Sequence, residues 1–323
     1  MDHFLSNCTA SALETAAANL LCGNLVAFPT ETVYGLGADA LNKDAIARVY
    51  DVKSRPVDHP LIVHIHSTQV LGQWVEVVPT YAIALARDFW PGPMTLIFRR
   101  SPLAQDFITG GQDTVGIRVP NHTIALGLLE AFHKLGGQGI AAPSANRFGQ
   151  VSPTTAKAVS DELGDYLQIE DQILEGGTSA VGVESTIIDC TGELPRILRP
   201  GAIIEEMIKQ STGLTEIGTL AAIEFTPRVS GSLAKHYAPA ARVLLDQTPV
   251  AGQGYIALSQ LDTPVGVIRL ASPKNSEEFA REIYASLRKA DDLGIIEVVV
   301  EQPQGNGIEI AIRDRLSRAA QGR

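Results

Sequence analysis

Short apolar runs of strand length alternate with helically spaced segments from residue 24 to about 205, and glycine or proline marks the joints between them. An apolar run too short for a helix buries itself best as a strand covered by neighbouring helices, so this alternation predicts an α/β unit whose sheet has a mixed strand order. Strands are expected at 25–28, 61–65, 94–98, 115–119, 139–142, 185–189 and 196–198, and helices at 43–53, 80–88, 123–134 and 154–163. Ahead of them, Ser11 and Glu14 have capping-box spacing before Leu13, Ala17, Leu20 and Leu21, which predicts an amphipathic helix ending at Gly23.

The chain has 323 residues, more than one core usually organises. Periodicity fails between 212 and 241, where Ser230–Pro239 reads as an extended connector. Strand signals return at 243–245, 255–258, 265–270 and 295–300, with helical spacing at 277–287 and 310–319, so a second, smaller α/β domain is expected.

With 36 acidic against 26 basic residues the formal charge is -10, which disfavours a large nucleic-acid or anionic-membrane footprint. Cys8, Cys22 and Cys190 are too scattered for a disulfide framework or a zinc knuckle, which fits a reducing cytoplasm. No apolar run reaches the roughly 18 residues of a membrane helix, and Met1-Asp2-His3 lacks the basic region of a secretory signal.

The segment from Phe28 to Ala40, F-P-T-E-T-V-Y-G-L-G-A-D-A, crowds hydroxyls, a carboxylate and two glycines into a turn after a buried strand. Such a turn suits a small polar ligand, with Gly35 and Gly37 allowing a backbone path closed to other residues. Lys53, Arg55 and His59 lie in K-S-R-P-V-D-H-P, whose prolines hold the basic side chains off a helix and make an anion cradle. His64 and His66 share a strand face, yet no third ligand follows at metal-site spacing, so no protein-held metal is expected.

Arg118 sits in an otherwise apolar strand and must have a partner or face a cleft; Arg199 repeats that pattern at the end of another strand. Together with Lys53 and Arg55 they point to a polyanionic ligand. Ser144 and Asn146, in A-P-S-A-N-R-F-G, have no routine structural role and read as ligand hydrogen-bonders. Ser152 before Pro153 reads as a helix N-cap, and a helix start of that kind can also bind phosphate. Walker, dinucleotide-fingerprint and G-x-S-x-G signatures are all missing from the sequence.

Taken in order, P-T-E-T-V-Y-G-L-G, K-x-R-P with a downstream H-P-L-I-V-H, P-G-P-M-T, G-I-R-V-P, P-S-A-N-x-x-G, S-T-I-I-D and R-P-G resemble the YrdC-type threonylcarbamoyl-adenylate synthases, and S-G-S-L-A-K-H-Y-A-P resembles the connector of their two-domain branch. The resemblance implies a YrdC-like catalytic domain over 1–211 and a connector over 212–241 that closes over the site. A Rossmann-like C-terminal domain then spans 242–323. It implies synthesis of threonylcarbamoyl-AMP and pyrophosphate from L-threonine, bicarbonate and ATP, with Mg2+ accompanying the triphosphate. A downstream tRNA-modifying transferase would use the product, so no strong nucleic-acid binding by this chain is needed.

By the same resemblance, threonine falls on Thr32, His64, Arg118 and Ser185, and ATP on Lys53, Arg55, His59, Thr114, Ser144, Asn146, Ser152 and Arg199. Tyr237 closes over the nucleotide, with Lys235 and His236 beside it. The family often has asparagine where this chain has His59. Lys53 and Arg55 are the expected stabilisers of phosphate charge, with Arg118 orienting threonine. The carbamoyl-adenylating enzymes of hydrogenase maturation are a rival without the zinc-binding C-x-x-C pairs they require; a non-catalytic RNA-binding module is another.

Overall fold

The computed structural model describes residues 5–7, 9–218, 226–231 and 237–322. The N-terminal part begins with β1 (Leu5–Asn7), α1 (Ala10–Leu21), β2 (Val26–Phe28), β3 (Gly35–Asp39), α2 (Lys43–Lys53), β4 (Ile62–His64), α3 (Leu71–Trp74), α4 (Thr80–Phe89) and β5 (Met94–Arg99). It continues through α5 (Asp106–Thr109), β6 (Thr114–Arg118), α6 (Thr123–Lys134), β7 (Ile140–Ala141), α7 (Ala156–Leu163), β8 (Gln172–Glu175), β9 (Thr186–Asp189), β10 (Arg196–Arg199) and α8 (Glu205–Thr212). Its ten strands form one sheet in the order β1, β8, β2, β3, β7, β4, β6, β5, β9, β10. Parallel pairs such as β4–β6 and β5–β9 alternate with antiparallel ones such as β2–β3 and β5–β6.

Side chains that alternate along a strand enter different cores, as pleating requires. Val26 and Phe28 pack with Leu128 and Phe132 of α6, whereas Ala27 packs with the cluster around Val49, Trp74 and Leu96. Helices thus cover both sheet faces. α2 starts where Asn42 Oδ1 accepts from the amides of Asp44 and Ala45, and stops where Ser54 turns left-handed at φ 49.

Local signals misled at three helix and turn positions. Thr9, not Ser11, caps α1, accepting from Ala12 N at 3.2 Å. Thr155, not Ser152, caps α7, because Ser152, Pro153 and Thr154 are held by bonds to Glu184, Tyr34 and Ser179 before the helix can begin. Gly35 and Gly37 lie in β3 rather than in the turn, and neither has a positive φ. A Cβ on Gly37 would stand 2.8 Å from both Ile140 and Phe28, so close packing between neighbouring strands requires the glycine.

The remaining strands β11 (Arg242–Leu245), β12 (Gly254–Ile256), β13 (Ile268–Ala271) and β14 (Glu297–Val300) form an all-parallel sheet in the order β11, β14, β12, β13. Helices α9 (Ser276–Asp292) and α10 (Glu309–Ala319) pack on it. The core of this unit also takes in Val33, Val151 and Val183 from the N-terminal part. α9 closes down on the chain at Gly182, where φ is +82 and a Cβ would lie 2.3 Å from Arg281 Cα.

Candidate active site

A recess enclosing about 550 Å³ of space open to solvent forms where strand ends and turns of the large sheet converge. β4 and β6 run parallel with His64 opposite Arg118, so the last residue of each strand delivers its side chain to the same place. The hairpin turn between β2 and β3 supplies Thr30 and Thr32. The loop after β7 supplies Ser144, held by an isolated bridge between Gly35 and Ser144. Ser185 precedes β9 and Arg199 ends β10.

Arg118 is buried, ion-paired to Glu31 at 2.8 Å and donating to Thr32 Oγ1 at 2.9 Å. That answers the requirement for a partner and still leaves the guanidinium on the recess wall. Burial, reinforced by the Arg118 charge, lowers the His64 pKa to about 3, so the imidazole is neutral at physiological pH. Its Nδ1 is buried without a hydrogen-bond partner among the described residues. Ser185 Oγ contacts Thr95 Oγ1 at 2.8 Å and accepts from Arg199 at 3.1 Å.

Arg199 also donates to the carbonyl oxygens of Ser185 and Ser230, both at 2.9 Å. Arg55 donates to Pro60 O and Ser230 Oγ, each at 3.0 Å, and burial lowers its pKa to about 10, which leaves it cationic. Ser230, Gly231 and Tyr237 roof the recess. Lys235 and His236 lie outside the described residues.

Thr32, Arg55, His64, Arg118, Ser144, Ser185, Arg199 and Tyr237 therefore line one recess. The others do not line it. Lys53 is buried behind it, with Nζ donating to Ser144 O at 2.6 Å and to Asn146 O. Asn146 is buried too, its amide donating to Arg147 O and Gln150 O. Ser152 donates to Glu184 at 2.6 Å. His59 is half-buried, edge-on to Phe148, and Thr114 lines an adjoining recess that shares Ile62 and Ser230 with the first. His66 parts from His64 and stacks on His133 with ring centroids 4.0 Å apart, because β4 ends at His64.

Glu31 and Glu184 escaped the sequence reading. Each is an acid beside a singled-out hydroxyl residue, Thr32 or Ser185, and a carboxylate next to a buried strand was the available signal. Among the described residues no three His, Cys, Asp or Glu come together as a metal site, and both of these carboxylates are committed to arginines, so the side chains do not fit a protein-held Mg2+. No helix among the described residues is long and apolar enough to cross a membrane.

The Sua5–YciO–YrdC family, described as telomere recombination, matches residues 18–201, and the threonylcarbamoyl-AMP synthase C-terminal domain matches 203–321. The chain is 38% identical to the threonylcarbamoyl-AMP synthase of Pyrococcus abyssi, over 95% of this chain and 94% of that protein. It is 36% identical to the threonylcarbamoyl-AMP synthase of Bacillus subtilis, over 95% and 92% respectively. A crystal structure of P. abyssi Sua5 complexed with L-threonine superposes with a TM-score of 0.87 at 35% identity, covering 98% of this chain and 97% of that one. The mixed sheet, the recess and the parallel-sheet unit define a two-domain enzyme class of this α/β type. The chain belongs to the two-domain threonylcarbamoyl-AMP synthase family.

Proposed function

We propose that this protein is a nucleotidyltransferase that makes threonylcarbamoyl-AMP and pyrophosphate from L-threonine, bicarbonate and ATP. The product would pass to a transferase that modifies tRNA. The observation that carries this reading is the meeting of three guanidinium groups, from Arg55, Arg118 and Arg199, with a neutral buried imidazole and the hydroxyls of Thr32 and Ser185. Cations on one side suit phosphates, and hydroxyls beside Arg118 suit an amino acid's carboxylate and side-chain oxygen.

The threonine amine attacks the bicarbonate carbon, and loss of water leaves a carbamate. A carbamate oxygen then attacks the α-phosphorus of ATP, and the bond to pyrophosphate breaks with its electrons on the leaving group. No protein nucleophile is needed. Arg118 and His64 hold threonine, while Arg55 and Arg199 balance charge on the phosphates and so favour the transition state. Lys53 acts from behind the wall by fixing the carbonyls of Ser144 and Asn146, the loop that faces the nucleotide. His59, Thr114 and Ser152 join the nucleotide side at its margins. Mg2+ would enter as the companion of the ATP substrate and not as a metal held by this chain.

Arg55 and Arg199 bond Ser230, so phosphates would replace those contacts, with Ser230, Gly231 and Tyr237 closing behind the nucleotide. Pyrophosphate release with ATP, bicarbonate and a panel of amino acids tests the reading. Threonine should stimulate release most strongly, and a purified protein releasing none with any amino acid would reject it.

A further inference from the structure

Arg315 is the one charged side chain at 0% exposure among the described residues, and it comes from α10 of the C-terminal unit. Two of its three guanidinium nitrogens reach out of that unit. Nε donates to Glu184 Oε2 at 2.8 Å, and another nitrogen donates to Pro200 O at 2.9 Å. The same group lies over the ring of Tyr237, 5.4 Å from its centroid. Tyr284 of α9 completes the arrangement: its hydroxyl donates to Glu184 Oε2 at 2.8 Å and its ring stacks on Tyr237 at 5.7 Å.

These anchor points are not scattered. Glu184 adjoins Ser185 in the chain, Pro200 adjoins Arg199, and Tyr237 is itself part of the roof, so one guanidinium grips the backbone or side chain beside three recess residues. Tyr237 sits at φ 61, a left-handed conformation that costs a non-glycine residue free energy and persists only where surroundings impose it. The ring contacts with Arg315 and Tyr284 are such surroundings. Burying an arginine this completely is costly unless its hydrogen bonds are satisfied, and here the acceptors that satisfy it all belong to the N-terminal part except Asp314.

We infer that Arg315 and Tyr284 are positioning residues of the C-terminal unit that set the part of the recess formed by Ser185, Arg199 and Tyr237, fixing Ser185 through Glu184, Arg199 through Pro200, and the ring of Tyr237 directly. This rests on the function proposed above. Neither residue lines the recess, so neither touches the reacting atoms. Their loss should weaken ground-state and transition-state binding together, which raises KM and spares kcat.

Full-length Arg315→Lys, Arg315→Met and Tyr284→Phe proteins, with Arg313→Lys as the control, test this by steady-state pyrophosphate release and by ligand-free crystal structures. Arg313 is on the same helix but bonds Pro303 O and Gly305 O, outside the cluster. The KM for ATP should rise about tenfold in Arg315→Met and about threefold in Tyr284→Phe, with kcat within about threefold of wild type and Arg315→Lys in between. In the crystals, the Tyr237 ring should move by about 1 Å or more in the Arg315 variants and stay in place in Arg313→Lys. Should Arg315→Met fail to fold, Tyr284→Phe and Arg315→Lys still decide. Wild-type KM and an unmoved Tyr237 in both would overturn the inference, as would a loss of kcat alone. A wild-type protein without threonine-dependent turnover would remove the functional reading instead, and the position of Tyr237 would then decide the inference by itself.

Discussion

Around the large sheet, buried ionic groups recur: Arg118 with Glu31, Arg196 with Asp189, and Arg199 packed against the Ser185 backbone. In the C-terminal unit, among the described residues from 242 onward, Arg315 is the one buried charged side chain, and its partner Glu184 belongs to the other part. The two parts therefore use buried charge differently. Arg196 is ion-paired with Asp189 on its own hairpin between β9 and β10 and serves the fold, whereas Arg118 is paired on one side and offered to the recess on the other. Within its own unit Arg315 pairs with its chain neighbour Asp314, and its other bonds run to Glu184 and Pro200. Arg315 is explained by what it holds across the boundary.

The sharpest break of this comparison sets Arg118→Ala beside Arg196→Ala. Each strands a buried carboxylate, Glu31 or Asp189, so each should lose on the order of 3–5 kcal/mol in urea denaturation. Only Arg118→Ala should also raise the KM for threonine, by about 100-fold or more. Equal kinetics in the two variants would erase the distinction between a fold arginine and a site arginine. Next in size, Arg55→Ala should cut pyrophosphate release about 100-fold; a normal threonine-dependent rate would remove Arg55 from the site.

His64 sharpens the same contrast through pH. Its folded pKa of about 3 lies below the ordinary 6.5, so between those values the unfolded chain binds a proton that the folded protein refuses. Stability is unaffected by this group above about 6.5 and falls as the pH drops toward about 3. His64→Gln should flatten that fall by on the order of a few kcal/mol, read from urea midpoints at neutral and acid pH. An unchanged slope would mean that the imidazole is not held neutral by burial.

At the boundary between the parts, Gly182→Ala drives a methyl into Arg281 Cα and the Ala280 carbonyl, at 2.3 and 2.4 Å, in a left-handed backbone. A loss of roughly 1–3 kcal/mol is expected, and a neutral result would show that α9 can shift without cost. The smallest effect belongs to the exposed Lys157–Asp161 pair of α7. Lys157→Ala should change stability by less than about 0.5 kcal/mol, and a larger change would mean that surface charge matters here more than burial.

Much of the fold was legible because strand and helix periods are local. The helix at 43–53 matches α2 residue for residue, and the expected strand at 94–98 falls within β5. β1, β3 and β8 were missed: β1 spans three residues and β8 four, and β3 carries two glycines, so none shows a strong alternating pattern. Ser152 shows the opposite failure. Its sequence neighbourhood is correct helix grammar, yet its hydroxyl is taken by Glu184, which lies 32 residues away in the chain.

The α/β character, the family, and the arginines and hydroxyls too polar for their strands can all be read along the chain, since each of those signals is carried by adjacent residues. Tertiary structure alone decided that His64 faces the recess while His66 does not, that Lys53 stands behind the wall, and that Arg315 reaches Glu184 across 131 positions. Those outcomes depend on where one strand ends against its neighbour and on which buried charge finds an acceptor. Nothing in a linear pattern records a partner that distant.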